Sequence, residues 1–113
     1  MTLTFQAMPL TTNSLYAHQG PQRFLTQKGK DNKQSIGWDA RAQYRGKALS
    51  GPLAVEVSLF WPDKRKHDVD NIKALLDAGR GILWDDDSQI TDLHVMKEVN
   101  KANPHAEMRV REL

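Results

Sequence analysis

The residues with the clearest chemical potential are two groups of carboxylates in the second half of the chain. Asp68 and Asp70 lie one residue apart at the start of a predicted helix, and the run Asp85, Asp86 and Asp87 follows that helix. Mg²⁺ prefers oxygen ligands, usually one or two carboxylates, and takes its other ligands from water and phosphate. The two groups therefore form a candidate site for hard divalent cations.

A basic segment directly precedes the first carboxylate pair and consists of Lys64, Arg65, Lys66 and His67. Positive side chains attract nucleic-acid phosphates, and beside metal-binding carboxylates they suggest cleavage of a phosphodiester. A simpler interpretation makes Asp68 and Asp70 helix caps, the aspartate run a solvated turn and the basic segment an exposed loop. A calcium loop fits poorly, because the position where an EF-hand requires glycine holds Ile90.

Lys73 and Asp77 lie on the same predicted helix as the first carboxylate pair. Lys73 could stabilise an attacking or leaving oxygen, or it could pair with Asp77 four residues later. At 100° per residue, Asp70, Lys73 and Asp77 cluster on one side of the helix. The opposite side carries the predicted buried stripe, which consists of Ile72, Leu75, Leu76 and Gly79. Both roles of Lys73 are compatible with this placement.

The charge is unevenly distributed along a chain of 113 residues with a net charge of +2. Residues 22–47 contain seven Lys or Arg against two Asp, whereas residues 85–113 contain four Lys or Arg against seven Asp or Glu. A basic face opposing an acidic cleft is typical of a metal-dependent nuclease, and an ordinary solvated surface is the alternative. There is no cysteine, which excludes disulfides and thiolate metal sites.

Apolar periodicity predicts a single α/β domain over residues 1–113, with a mixed sheet covered by two helices in the order β-α-β-α-β-β. The predicted elements are a strand near Leu3, a loop to about Gln22, a helix at 30–46, a strand at 53–61 ended by Pro62, a short helix ended by Gly79-Arg80-Gly81, and strands from near Gln89 and around Met108. Asn103-Pro104 predicts a turn or short hairpin loop between the last two. No apolar run approaches the ~20 residues of a membrane span, and the N-terminus lacks a signal-peptide core, so a cytoplasmic protein without membrane contact is expected.

The combined motifs closely resemble the RusA family of Holliday-junction resolvases. The resemblance rests on Asp63-Lys64-Arg65-Lys66-His67-Asp68-Val69-Asp70-Asn71, on Lys73 with Asp77, and on Trp84-Asp85-Asp86-Asp87-Ser88-Gln89-Ile90. More weakly, Pro9 and Asn13-Ser14-Leu15-Tyr16 are similar to the N-terminal loop of the family. Two departures stand out: Asn71 and Lys73 are separated by one residue where the family usually has two, and three aspartates replace the usual two.

This resemblance implies a homodimeric Mg²⁺-dependent endonuclease, with Mn²⁺ as a substitute and no small-molecule cofactor, that acts on four-way DNA junctions. Asp68, Asp70 and Asp87 match the catalytic, metal-binding carboxylates, Asp86 is their acidic neighbour, and Lys73 matches the catalytic lysine. The implied DNA-binding residues are Lys64, Arg65, Lys66, His67, Lys28, Lys30, Lys33 and Lys97. Two alternatives remain open: a nuclease for flaps or other branched DNA, and a branched-DNA-binding domain whose acidic site has decayed.

Overall fold

The computed structural model describes residues 1–10, 15–64 and 72–113. These residues form six strands and two α-helices. The elements are β1 (Thr2–Phe5), β2 (Tyr16–Gln19), β3 (Gln22–Leu25), α1 (Gln27–Gln43), β4 (Leu53–Trp61), α2 (Lys73–Gly79), β5 (Ile90–Val99) and β6 (His105–Glu112), with a 3₁₀ turn at Asp87–Gln89 before β5. The predicted α/β class is confirmed.

The main sheet has four strands in the order β1-β6-β4-β5. β4 is parallel to β5 and antiparallel to β6, and β1 is antiparallel to β6, so the sheet is mixed as predicted. β4 has the bounds that were predicted for the strand at 53–61. Its residues Leu53, Val55, Val57 and Leu59 are buried, which places the centre of the sheet in the core.

Both helices pack on one face of the sheet. α1 buries Ile36 and Ala40, while α2 buries Ala74 and Leu75. These side chains join the apolar residues of β1, β4 and β6 in one core cluster. The free energy gained by removing this apolar surface from water is the main contribution that holds the helices on the sheet.

The segment predicted as a long loop contains a two-stranded hairpin, β2–β3, which turns at Gly20 with a positive φ of 63°. The prediction missed it because these four-residue strands are largely exposed and lack an alternating apolar pattern. α1 also begins earlier than predicted, because Thr26 caps it by accepting a hydrogen bond from Gly29 N at 2.9 Å. The hairpin therefore leads directly into the helix.

β5 and β6 follow one another in the chain without pairing, so the hairpin alternative at Asn103-Pro104 is wrong. β6 lies between β1 and β4, and β5 pairs with the other side of β4. The reason is burial: Ala106, Met108 and Val110 of β6 are core residues, whereas β5 is exposed along most of its length. Neither of the helices described here is long and apolar enough to cross a membrane.

Candidate active site

The acidic turn before β5 is held from two sides. The indole Nε1 of buried Trp84 donates a hydrogen bond to Oδ1 of Asp87 at 2.7 Å. The side chain of Asp87 is half-buried, whereas those of Asp85 and Asp86 are exposed. One oxygen of the Asp87 carboxylate is thus fixed by a rigid donor, and the hydrogen bond leaves the other oxygen available.

Gln89 binds the same turn to the segment that precedes β4. Its Oε1 accepts hydrogen bonds from the backbone N–H groups of Asp85 and Asp86 at 2.9 and 2.8 Å. Its Nε2 donates to the carbonyl oxygens of Leu49 and Gly51 at 2.8 and 3.0 Å. One amide therefore fixes the backbone on both sides, a function that only a side chain with both a donor and an acceptor provides.

α2 connects the lysine of the site with the support of the acidic turn. Lys73 is the first residue of the helix, and its Nζ lies 3.5 Å from Oδ2 of Asp77. At the other end, a Cβ on Gly79 would come within 2.6 Å of the Trp84 ring. Glycine therefore allows the indole that holds Asp87 to pack directly on the helix. Lys73 and Gly79 are separated by a rise of about 9 Å along the helix axis.

Asp77 also binds a lysine from α1. Lys33 Nζ lies 2.7 Å from Asp77 Oδ2 and donates a hydrogen bond to the Tyr16 hydroxyl at 3.3 Å. Burial lowers the pKa of Lys33 and is the largest single influence, but the bonds to Asp77 and Tyr16 and the Asp77 charge together raise it. Lys33 is therefore held as a cation in this position.

The predicted carboxylate trio falls partly on residues that the structure does not describe. Asp68 and Asp70 lie outside the described residues, as do Arg65, Lys66 and His67. Among the residues described, no three His, Asp or Glu side chains gather into a metal site. Asp86 and Asp87 contribute oxygen donors without nitrogen or sulfur, a donor set that suits Mg²⁺ or Mn²⁺.

The predicted DNA-binding residues divide into two groups. Lys33 is engaged with Asp77 and Tyr16 in a half-buried position. The others within the described ranges are exposed and are Lys28, Lys30, Lys64 and Lys97. A phosphate backbone can therefore reach these four, whereas Lys33 acts within a cluster of side chains.

Sequence reasoning missed three contributors to the site. Arg23 places its guanidinium carbon 3.9 Å from the centre of the Tyr16 ring, and Gln89 holds the acidic turn. Asn32 fixes the N-terminal segment by bonding to Leu10 N at 3.0 Å and Met8 O at 2.8 Å. Gln89 belongs to a motif of the resemblance, which was the available signal, whereas Arg23 and Asn32 belong to none of the quoted motifs.

A family model described as "Endodeoxyribonuclease RusA" matches residues 5–111. Because the match covers nearly the whole chain, the chain belongs to the RusA family of endodeoxyribonucleases. Two curated proteins named crossover junction endodeoxyribonuclease RusA are similar to it. The one from Aquifex aeolicus (strain VF5) is 30% identical over 77 residues, which are 66% of this chain and 60% of that protein. The one from Enterobacteria phage HK97 is 27% identical over 110 residues, 93% of this chain and 89% of that protein.

Proposed function

We propose that this protein is a Mg²⁺-dependent, structure-selective endodeoxyribonuclease that resolves four-way DNA junctions by paired nicks. The observation that carries the proposal is that α2 connects both parts of the site. It presents Lys73 at its first residue, and at its last residue, Gly79, it packs against Trp84, whose indole N–H holds Asp87. The printed names of both relatives supply the substrate, a crossover junction.

Asp87 and Asp86, together with Asp68 and Asp70, would hold the cation. When bound, Mg²⁺ supplies activation of water and neutralisation of charge on the scissile phosphate. Trp84 and Gln89 fix the orientation of the acidic turn, so little reorganisation is needed when the substrate arrives. Lys73 is 43% exposed and can direct its ammonium at a phosphate oxygen, where it stabilises the negative charge of the transition state.

The exposed lysines would hold the DNA backbones. Contacts to phosphate position a nucleic acid without reading its sequence, whereas the shape of a branched duplex provides selectivity. The proposed phosphate contacts are Lys28, Lys30, Lys64 and Lys97, with Arg65, Lys66 and His67.

A homodimer is part of the proposal because resolution of a junction requires two cuts. Within the described sheet, β5 has a hydrogen-bonded neighbour on one side only, β4. It is ten residues long and exposes Leu93, Met96 and Val99 to 43, 55 and 42%. Long apolar edges are normally protected in proteins. Antiparallel pairing of β5 with that of a second copy would cover this edge and relate the two active sites by a two-fold axis.

The decisive experiment compares wild-type protein with Asp70→Asn on a synthetic four-way junction, a flap and a linear duplex, with Mg²⁺ and with a chelator. We expect Mg²⁺-dependent, symmetric nicks in the junction by the wild-type protein alone. Junction binding by Asp70→Asn should be unchanged or slightly tighter, because one negative charge has been removed from a site that accepts phosphate.

The other outcomes identify the alternatives. Preferential cutting of the flap would make the protein a nuclease for other branched DNA. Tight junction binding without cleavage by the wild-type protein would make it a decayed, non-catalytic binding domain. Loss of binding by Asp70→Asn with an unchanged cleavage rate per bound complex would make Asp70 a structural helix cap.

Two further variants test the other parts of the proposal. Replacing Lys64 and Arg65 by Ala should weaken binding and lower the slope of log K against log salt by up to about 0.9 per lost phosphate contact. Replacing Leu93 and Val99 by Lys should give a monomer by light scattering at micromolar concentration. A wild-type protein that is monomeric with and without junction DNA would contradict the homodimer.

A further inference from the structure

Three cations from three different elements surround one aromatic ring. Around the Tyr16 ring centre, the Arg23 guanidinium carbon lies at 3.9 Å, Lys33 Nζ at 5.4 Å and Lys73 Nζ at 6.0 Å. Arg23 comes from β3, Lys33 from α1 and Lys73 from α2. We call this group, with Asp77, the Tyr16 cluster. Cations within about 6 Å of a ring face are attracted to its electrons.

The described members of the Tyr16 cluster have two excess positive charges, because three cationic side chains share the single carboxylate of Asp77 (three minus one). Like charges at this spacing repel one another, and the ring offsets only part of the repulsion. A bound anion would relieve it. The cluster therefore has the electrostatic character of an anion site.

Asp77 divides its contacts unequally between the two lysines. Lys33 is closer, at 2.7 Å, and only 21% of its side chain is exposed, whereas Lys73 lies at 3.5 Å and is 43% exposed. The Asp77 side chain itself is 11% exposed. Because Lys33 already satisfies the carboxylate, Lys73 is loosely tethered and remains available to a ligand on the solvent side.

The backbone places Tyr16 in this position by a close approach. Leu15 O accepts a hydrogen bond from Thr26 N at 2.8 Å, and a Cβ on Gly29 would lie 2.5 Å from the same oxygen. Glycine at this point of α1 allows the chain at Leu15 to lie against the helix. The next residue, Tyr16, then faces Lys33 one turn further along α1.

We propose that the Tyr16 cluster is a binding site for a DNA backbone phosphodiester next to the one that is cleaved. In this site Arg23 contacts the phosphate and Tyr16 is the platform that orients Arg23. The Lys33–Asp77 pair positions Lys73 between this phosphate and the scissile one. A guanidinium stacked on a ring keeps its N–H edges free for bidentate hydrogen bonds to phosphate oxygens. The inference rests on the proposed function for the identity of the ligand.

The binding test compares Arg23→Gln with Arg109→Gln, measured by anisotropy on a labelled junction in chelator over a series of salt concentrations. Arg109 is an exposed arginine of β6 that pairs with Glu56 away from the cluster, so its replacement is a matched control. Arg23→Gln should lower the salt slope by about 0.9 relative to the wild type, and Arg109→Gln should leave it unchanged. Equal slopes for the two variants would overturn the site.

The platform is tested with Tyr16→Leu and Tyr16→Phe. Phenylalanine keeps the ring and loses the hydroxyl, so its salt slope should equal that of the wild type. Leucine loses the ring and should weaken junction binding. The double variant Tyr16→Leu with Arg23→Gln should bind the junction as tightly as Arg23→Gln alone, because the two residues act as one unit. Additive losses, or a lower slope for Tyr16→Phe, would contradict the platform.

Positioning by Asp77 is tested by single-turnover cleavage with saturating enzyme. Asp77→Asn should bind the junction as tightly as the wild type or more tightly, yet cleave between about tenfold and about a hundredfold more slowly, because Lys73 loses its tether. Asp31→Asn removes the same charge from an exposed position of α1 and should cleave normally. Wild-type cleavage by Asp77→Asn would refute the positioning. A wild-type protein that does not bind the junction would instead refute the proposed function.

Discussion

The indole N–H of Trp84 donates to a carboxylate oxygen of Asp87 at 2.7 Å, and this bond joins the buried core to the acidic turn. Trp84 is fully buried and its ring packs against Gly79, so the orientation of its indole N–H is fixed. The orientation of a surface carboxylate is thus determined by core packing. Hydrogen bonds to a charged acceptor are stronger than those between neutral groups, so this contact has consequences for both stability and activity.

Trp84→Phe keeps most of the apolar ring and removes the donor to Asp87. We expect a loss of about 1.5–3 kcal/mol in the free energy of unfolding and a higher Mg²⁺ concentration for half-maximal cleavage. Urea denaturation and a Mg²⁺ titration of cleavage would measure the two effects. Trp38→Phe is the control, because Trp38 is 67% exposed on α1. Equal Mg²⁺ requirements for both variants would remove Trp84 from the site.

Gln89→Glu replaces an amide that both donates and accepts by a group that only accepts. The bonds to the Leu49 and Gly51 carbonyls are lost, and a negative charge is placed beside Asp85 and Asp86. We expect a loss of about 2 kcal/mol or more. Hydrogen exchange should become faster at the Leu49 amide, which bonds to Leu83 O in the segment that Gln89 holds. Exchange rates measured by NMR and unchanged from the wild type would show that the turn is held by other contacts.

Two glycines of α1 should respond in opposite ways to alanine. A Cβ on Gly29 would meet the Leu15 carbonyl oxygen at 2.5 Å, so Gly29→Ala should destabilise the fold by about 1–3 kcal/mol. A Cβ on Gly37 meets nothing within 4 Å, so Gly37→Ala should stabilise it by about 0.4–1 kcal/mol. Thermal denaturation of both variants checks the sign, and junction affinity should fall only for Gly29→Ala.

His105 makes stability depend on pH. Its ring stacks on Phe60 with centres 4.5 Å apart, and a hydrogen bond to the Asn103 carbonyl raises its pKa above 6.5, opposed by burial and assisted by Glu107. Because the folded pKa is raised, the contribution is fully present below about pH 6.5 and is lost as pH rises through the folded value. The stability difference between wild type and His105→Gln should therefore be larger at pH 5.5 than at pH 8.5 in urea titrations. A difference that grows with pH would contradict this assignment.

The sequence by itself determined the elements whose burial has a simple period. Alternation from Leu53 to Trp61, ended by Pro62, predicted β4 with its observed bounds. The predicted stripe of Ile72, Leu75, Leu76 and Gly79 is buried at Leu75 and Gly79 of α2 and at Ile72 just before it, whereas Leu76 is half-buried and the buried Ala74 was not predicted. Both work because a helix or strand that faces one core repeats its environment at a fixed interval along the chain. The Lys73–Asp77 contact was one of two roles considered for Lys73, because residues four apart lie on the same side of a helix.

Only the tertiary structure decided the sheet order, the β2–β3 hairpin and the Tyr16 cluster. β6 pairs with β4 and not with β5, because its buried residues Ala106, Met108 and Val110 belong in the centre of the sheet. No local pattern specifies which strands lie on either side of it. Lys33 and Lys73 share Asp77 because α1 and α2 pack against each other, although the two lysines are far apart in the chain. Local periodicity encodes which side of an element is buried, whereas the charges that meet at a site depend on how separate elements pack together.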